Sequence, residues 1–276
     1  MAIKSILCPY TGEANSAAAL SYALKAAKHH DAWVTGALSH GPGYIERQFA
    51  SMVGEQILGM LREQSEEFYK SIQTRFDKEV AAAGWGEKSE FAEFEDQEYQ
   101  ALSAFARGFD LVIIGEHSTD MNESHMSPHP DMLALQSGRP VLMIPDDFQG
   151  KELSSHVLIA WDGKRAAARA VGEAMVMLEQ KGKVTLLTVG EDAASNIDGI
   201  GGIRTLLTRH GIDTSHLHHD KMSGGIGKHI LEAVDEVSAE MIVMGAYEHS
   251  KFSHEFFGGP TTHVLKNSKV PVLLVH

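Results

Sequence analysis

Residues 241–276 of the chain read MIVMGAYEHSKFSHEFFGGPTTHVLKNSKVPVLLVH. The apolar run that opens this stretch ends at Gly245, as expected of a buried strand that stops where the backbone must turn. A polar loop then leads to Gly258-Gly259-Pro260, and a proline in this position is typical of a first helical residue. A second apolar run, Val270–Val275, closes the stretch. The pattern predicts a strand, a glycine loop, a helix and a strand.

The glycine loop has two interpretations. Two glycines at the start of a helix leave backbone N–H groups open at the positive end of the helix dipole, where phosphate is the usual ligand. A tight crossover between two strands gives the same glycine pattern and binds nothing. The stretch alone leaves both interpretations open.

An internal duplication organises the rest of the chain. Three pairs of segments match, at separations of 151, 130 and 131 residues: Lys4–Gly12 with His156–Gly163, Asp110–Gly115 with Glu240–Gly245, and Pro140–Ile144 with Pro271–Val275. Repetition of this kind indicates a copied structural unit. Each copy alternates apolar runs with helical segments, which predicts right-handed crossovers and a parallel sheet with helices on both faces. We therefore predict two tandem α/β domains, 1–148 and 152–276, each with an open five-stranded parallel sheet.

Composition narrows the classes of function. The chain has 276 residues, is 43% hydrophobic and contains no apolar run of the length that spans a bilayer. Its net charge of −13 argues against nucleic acid as a partner, because phosphate neutralisation needs a basic surface. Residues 1–150 carry 22 acidic and 11 basic side chains, whereas residues 151–276 carry 15 and 13. An anionic ligand is therefore repelled less by the second half.

Two features indicate a cytoplasmic protein. The N-terminal segment lacks the charged, apolar and small-residue sections of a secretory signal. The single cysteine, Cys8, lies in an apolar run and has no partner for an internal disulfide, so we expect a buried thiol in a reducing compartment.

The fold predicts where a ligand would bind. In open parallel sheets ligands lie at the carboxyl ends of the strands, near the switch in strand order. In the second copy this edge carries Asp162-Gly163, Val189-Gly190 and the loop from Gly245 to Thr262. Three loops that are distant in sequence are thus expected around one crevice.

The duplicated halves, the VLIAWDG opening of the second copy and its closing glycine loop resemble the universal stress protein family, over essentially the whole chain. The likeness is to the tandem, two-domain members. It implies an adenine nucleotide alpha hydrolase-like fold and a pseudo-two-fold relation between the domains. It also implies that the last strands, Val141–Ile144 and Val270–Val275, pair as in dimers of single-domain members. The chain would then be an internal dimer, with homodimerisation as a further step.

The resemblance also assigns site residues. Nucleotide-binding members carry Gly, two residues, Gly, nine residues, Gly and then Ser or Thr. Gly245 and Gly258 match the first and third glycines, whereas Glu248 stands at the second and Gly259 at the hydroxyl position. Side chains that could compensate follow or lie within the loop: Thr261 and Thr262 with hydroxyl groups, and His249 or Lys251 with positive charge.

Two further positions match the family's nucleoside contacts. Asp162, followed by Gly163, stands where an acid contacts the nucleoside, and Val189 where the second strand meets adenine. In the first copy Thr11 replaces the acid, and no glycine pair follows Gly115, so that copy is expected to have lost its site.

We therefore expect a non-catalytic stress-response protein that binds ATP or a related adenine nucleotide in its second domain. The alternative is a ligand-free stress-response scaffold that acts through protein contacts. An enzyme is the weakest interpretation, because the sequence has no Walker motif, no nucleophile elbow and no nucleophile placed beside a base.

Two histidine-rich segments suggest a metal site, but neither has the ligand spacing of a known one. His117, Asp120, Glu123, His125 and His129 fall in one loop but follow no established ligand spacing. His216 and His218 share one face of a predicted strand, which is too few ligands for zinc. We assign no metal site.

A long helical segment, residues 46–83, distinguishes the first copy from the second. Its apolar positions approximate one face and predict core packing: Phe49, Val53, Ile57, Leu61, Phe68, Ile72, Phe76 and Val80. Contact with a partner or with a second copy of the chain is the alternative role.

Overall fold

The computed structural model describes residues 2–41, 54–95, 101–118, 126–148, 153–191, 197–220, 225–246 and 259–276. Strands and helices alternate along both copies, as the apolar runs predict. In chain order they are β1 Ser5–Pro9, α1 Ala14–His30, β2 Trp33–His40, α2 Glu55–Ala82, β3 Ser89–Glu95, α3 Ala101–Ala106, β4 Leu111–Gly115, α4 Pro130–Ser137, β5 Val141–Ile144, β6 His156–Ala160, α5 Arg165–Leu178, β7 Lys183–Val189, α6 Ile203–Arg209, β8 Thr214–His219, α7 Ile226–Val237, β9 Met241–Gly245, α8 Pro260–Asn267 and β10 Val272–Val275.

The chain forms two compact units. The first, Ile3–Arg139, holds the strand order β3-β2-β1-β4, and the strands pair in parallel. The strand interiors are buried and apolar, and Cys8 is fully buried in β1, where burial raises the pKa of its thiol. The expectation of a buried cysteine is confirmed.

The second unit, Pro140–His276, holds the strand order β5-β10-β9-β6-β7-β8. All of its pairs are parallel except that of β5 with β10, in which Leu142 lies opposite Leu273 in an antiparallel register. The parallel α/β fold and the pairing of the two last strands are therefore as predicted. The sequence predicts five strands in each sheet, whereas the units contain four and six, because β5 pairs with β10 and is buried there.

Helix α2 differs from its prediction along its first half. Its second half packs inward through Tyr69, Ile72, Phe76 and Val80, and Leu58 is also buried. Ile57 and Phe68, which the sequence assigns to the core, are 51% and 41% exposed. That part of the prediction is wrong, since the first half of the helix buries Leu58 in place of these two side chains. Phe49 and Val53 lie outside the described residues.

No helix among the described ranges is both long enough and apolar enough to cross a bilayer.

Three histidines with lowered pKa values make the stability of the fold depend on pH. Burial, with Lys183 nearby, lowers the pKa of His156, whose Nε2 lies 2.9 Å from Oγ1 of Thr185. Burial also lowers the pKa values of His117 and His216. An unfolded histidine titrates near pH ~6.5, so below that value the unfolded chain binds more protons than the folded one and stability is lost as pH falls.

We therefore expect the free energy of unfolding to be smaller at pH 5.5 than at pH 7.5, as measured by urea denaturation followed by circular dichroism. His156→Gln removes one of these groups and should reduce the difference between the two pH values. Equal or greater stability of the wild type at pH 5.5 would contradict this prediction.

Candidate functional site

The turn after β6 presents an open carboxylate. Asp162 is exposed, and its Oδ1 accepts the backbone N–H of Lys164 at 3.0 Å, which closes the turn. Gly163 has φ +76°, a left-handed conformation that favours glycine. A Cβ placed on Gly163 would meet no atom of the described residues within 4 Å, so none of them fills the space beside this turn.

The end of β7 lies beside this turn. The N–H of Trp161 donates to the carbonyl of Leu187 at 2.8 Å, and the N–H of Gly190 donates to the carbonyl of His219 at 2.9 Å. These bonds join the carboxyl ends of β6, β7 and β8. Val189, the last residue of β7, is partly buried. Its exposed part could form an apolar contact with a flat ligand.

The end of β9 is closed by a helix. A Cβ on Gly245 would lie 2.7 Å from the Cβ and backbone of Ala166, in the first turn of α5. Glycine at this position therefore lets α5 approach the strand end closely. Ala246, which follows, is buried and donates its N–H to the carbonyl of Val275 at 2.7 Å.

Helix α8 begins where the sequence predicts. Gly259 is its N-cap residue and Pro260 its first residue, and no side chain of the described residues caps its amino end. A Cβ on Gly259 would meet no atom within 4 Å. Thr261 is buried and Thr262 partly buried in the first turn. The amino end of α8 is thus uncapped and open at its N-cap, as an anion site requires.

Strand order brings most of the predicted residues to one edge. Strand β6 lies between β7 and β9, so Asp162, Val189 and Gly245 stand on or directly after three neighbouring strands. Gly259, Thr261 and Thr262 are at the start of the helix that leads from β9 to β10. His249 and Gly258 lie outside the described residues.

In the first unit the corresponding edge is covered by α2. The carbonyl of Gly12 accepts Nη1 of Arg75 at 3.1 Å, and a Cβ on Gly12 would lie 3.4 Å from that atom. The hydroxyl of Tyr10 donates to Oε1 of Glu79 at 2.7 Å. Side chains of α2 therefore stand where the second unit is open.

The described residues at the two ends of the loop after β4 are hydrogen-bonded to each other. His117 Nδ1 lies 2.8 Å from the carbonyl of Ser127, and the N–H of Ser118 donates to Oγ of Ser127 at 2.7 Å. Pro128, which has no N–H, and His129 precede α4. This end of the helix offers fewer backbone donors than the glycine pair of the second copy.

The described histidines of the predicted loop, His117 and His129, are not arranged as ligands of one metal ion. The rings of His117 and His129 stack at 3.5 Å between centroids, an arrangement unlike two imidazoles converging on one ion. Asp120, Glu123 and His125 fall outside the described residues. Within the ranges that are described, no group of three His, Cys, Asp or Glu side chains could hold a metal.

Sequence reasoning missed the role of Thr188. Its fully buried hydroxyl lies 2.9 Å from Nε2 of His216 and 2.9 Å from Nδ1 of His218. The period-two spacing of the two histidines predicts their common face, but only the strand register shows the threonine between them. These histidines are hydrogen-bonded on the sheet.

Comparison with known proteins shows which family part of the chain matches. The universal stress protein family model matches residues 154–276. A universal stress protein from Synechocystis, Slr1230, is 23% identical over 171 residues, which cover 60% of this chain and 57% of that relative. The match thus spans little more than half of the relative's length.

Solved structures extend the likeness to both units. A universal stress protein from Archaeoglobus fulgidus is 19% identical and superposes with a TM-score of 0.74, covering 98% of this chain and 95% of its own. A proposed universal stress protein from Pseudomonas aeruginosa is 15% identical with a TM-score of 0.60, covering 99% and 93%. At these identities the structures establish the fold. Residues 154–276 therefore match the universal stress protein family, and the fold of both units is like that of the solved universal stress proteins.

Proposed function

We propose that the second domain, residues 152–276, binds an adenine nucleotide such as ATP, and that the chain is a non-catalytic stress-response protein of the cytoplasm. The name of the Synechocystis relative supports the stress-response role. The open carboxyl edge of β6, β7 and β9 supports the nucleotide site. The first domain, residues 1–148, keeps the fold without an equivalent opening.

One contrast carries this proposal. A Cβ on Gly163 meets no atom within 4 Å, whereas one on the corresponding Gly12 meets Arg75 and Ile72 of α2. The corresponding second-copy helix, α6, has 7 residues against the 28 of α2. Among the residues that the structure describes, those of the second unit leave room for a ligand at this turn, and those of the first do not.

The residues of the opening suit the parts of a nucleotide. The Asp162 carboxylate can accept hydrogen bonds from ribose hydroxyls, and Val189 can pack against the base. The uncapped amino end of α8, with Gly259 and the threonines after it, suits phosphate oxygens.

The described residues support a binding role more than a catalytic one. The hydroxyls that contact imidazoles, those of Thr185 and Thr188, are buried within the sheet. A nucleophile must reach its substrate, so neither hydroxyl is placed for covalent catalysis.

Titration calorimetry with ATP tests the nucleotide site. Asp162→Ala should weaken ATP binding about tenfold or more, because a hydrogen bond to a charged group contributes about 1.5–3 kcal/mol. Asp162→Asn keeps an oxygen that can accept the Lys164 N–H, so it separates loss of the carboxylate charge from loss of the turn. Absence of binding by the wild type at millimolar ATP would refute the proposal.

A scaffold acting through protein contacts is the second candidate, and α2 favours it. Its first half exposes Ile57, Met60 and Phe68 at 51%, 71% and 41%. Exposed apolar side chains of this size on one helix are typical of interaction surfaces. A homodimer or another protein could use them, and sedimentation of Met60→Glu beside the wild type would detect self-association there.

A further inference from the structure

The amino end of α7 is a second uncapped helix start at the same edge of the second unit. Its N-cap residue, Gly225, has φ +81°, and within the described part of the chain no side chain caps the helix. Because α7 follows β8, it begins at the carboxyl edge of the sheet. The N–H of Gly190 donates to the carbonyl of His219 at 2.9 Å, which connects this edge to the end of β7.

A buried histidine without a hydrogen-bond partner stands in the first turns of α7. His229 is 7% exposed, and its Nε2 has no hydrogen-bond partner in the part of the chain that is described. Its Nδ1 faces Glu232 at 3.6 Å, in the following turn. The two ring nitrogens point in different directions, so Nε2 points away from the Glu232 carboxylate and is available to a ligand.

Two helix starts meet at this place. A Cβ on Gly227 would lie 3.0 Å from the carbonyl oxygen of Pro260 and 2.8 Å from Cβ of His263. Glycine at position 227 therefore lets the first turn of α7 contact the first turn of α8. The positive ends of two helix dipoles are thus adjacent, which favours an anion more than either end alone.

The charges around this junction are mixed. Lys228 is exposed and lies 3.4 Å from Oε1 of Glu232, and Glu236 lies 3.0 Å from Nε2 of His219. The ammonium group of Lys228 is on a flexible stem and can turn from Glu232 to a stronger anion. A ligand with more than one negative charge competes best for it.

We propose that the start of α7, with Lys228 and His229, binds the terminal phosphate groups of a nucleoside di- or triphosphate whose nucleoside lies at Asp162 and Val189. This inference rests on the proposed function and adds a phosphate subsite to it. The ring of His219 connects the two regions, since its centroid lies 5.6 Å from that of His229 while its carbonyl accepts the Gly190 N–H.

Binding of adenosine, ADP and ATP to the wild type and to Lys228→Gln and His229→Gln tests the subsite. The wild type should bind ATP more tightly than adenosine. Each variant should bind ATP about tenfold more weakly with adenosine affinity unchanged, since a lost charge-assisted hydrogen bond has about this effect. Lys266→Gln, which removes a lysine from the last turn of α8, is the matched control and should bind ATP like the wild type.

The outcomes separate the two proposals. Equal affinity of the wild type for adenosine and ATP, or unchanged ATP binding in both variants, overturns the subsite and leaves the nucleotide site standing. Equal loss of adenosine and ATP in the variants also overturns the subsite. Failure of the wild type to bind either ligand overturns the proposed function itself. Lys228 is exposed, so its variant remains informative if His229→Gln does not fold.

Discussion

Replacing Gly259 with aspartate is expected to weaken ATP binding by the second unit at least about tenfold. Gly259 has φ −77°, which any residue adopts, and a Cβ there meets no atom within 4 Å. The new carboxylate would project beside the first turn of α8, where the proposed phosphates lie. A repulsion of only about 1.4 kcal/mol, well within the range for like charges a few ångströms apart, gives a tenfold loss.

Gly259→Asn provides the matched control for this experiment. Asparagine has the shape of aspartate without its charge, and both residues are favourable N-caps. Both variants should therefore fold at least as stably as the wild type, which thermal unfolding can verify. If calorimetry gives the two variants the same ATP affinity, the start of α8 does not face the phosphates.

The sequence predicts the features that depend on local chemistry. Gly245 ends β9 and Pro260 begins α8, because a strand end and a helix start are determined largely by the residues at that position. The internal repeat predicts two successions of parallel strands, whereas the order β7-β6-β9 is known from the structure. Asp162 lies directly after the first strand region of its copy, where the sequence places it.

Features that depend on distant packing were not predictable. The sequence shows that the first copy has Thr11 in place of an acid, but not that Arg75 and Glu79 of α2 cover the same edge. Helical periodicity indicates an apolar stripe, but it does not show which part of that stripe faces the sheet. For this reason the sequence assigns Phe68 to the core, although the side chain is exposed. Likewise, the sequence predicts β5 as the last strand of the first copy. In the structure β5 belongs to the second unit, because it pairs with β10.

A close contact between a strand end and a helix is present in both copies and gives the second large prediction. A Cβ on Gly115 would lie 2.5 Å from the carbonyl oxygen of Asn15, and one on Gly245 would lie 2.7 Å from Ala166. Backbone atoms cannot move aside like a flexible side chain. We expect Gly245→Ala to reduce the free energy of unfolding by roughly 1–3 kcal/mol, the usual cost of overpacking.

Gly172→Ala is the control for that measurement, because Gly172 lies within α5 and a Cβ there meets no atom within 4 Å. Alanine in a helix interior is favoured over glycine by about 0.5–1 kcal/mol, so this variant should be more stable in urea denaturation. Comparable losses in Gly115→Ala and Gly245→Ala would show that strand–helix packing is equally strict in both copies, although only one keeps an open turn. A neutral Gly245→Ala would instead mean that α5 can shift away from β9, and the opening beside Asp162 would then not be held in a fixed shape.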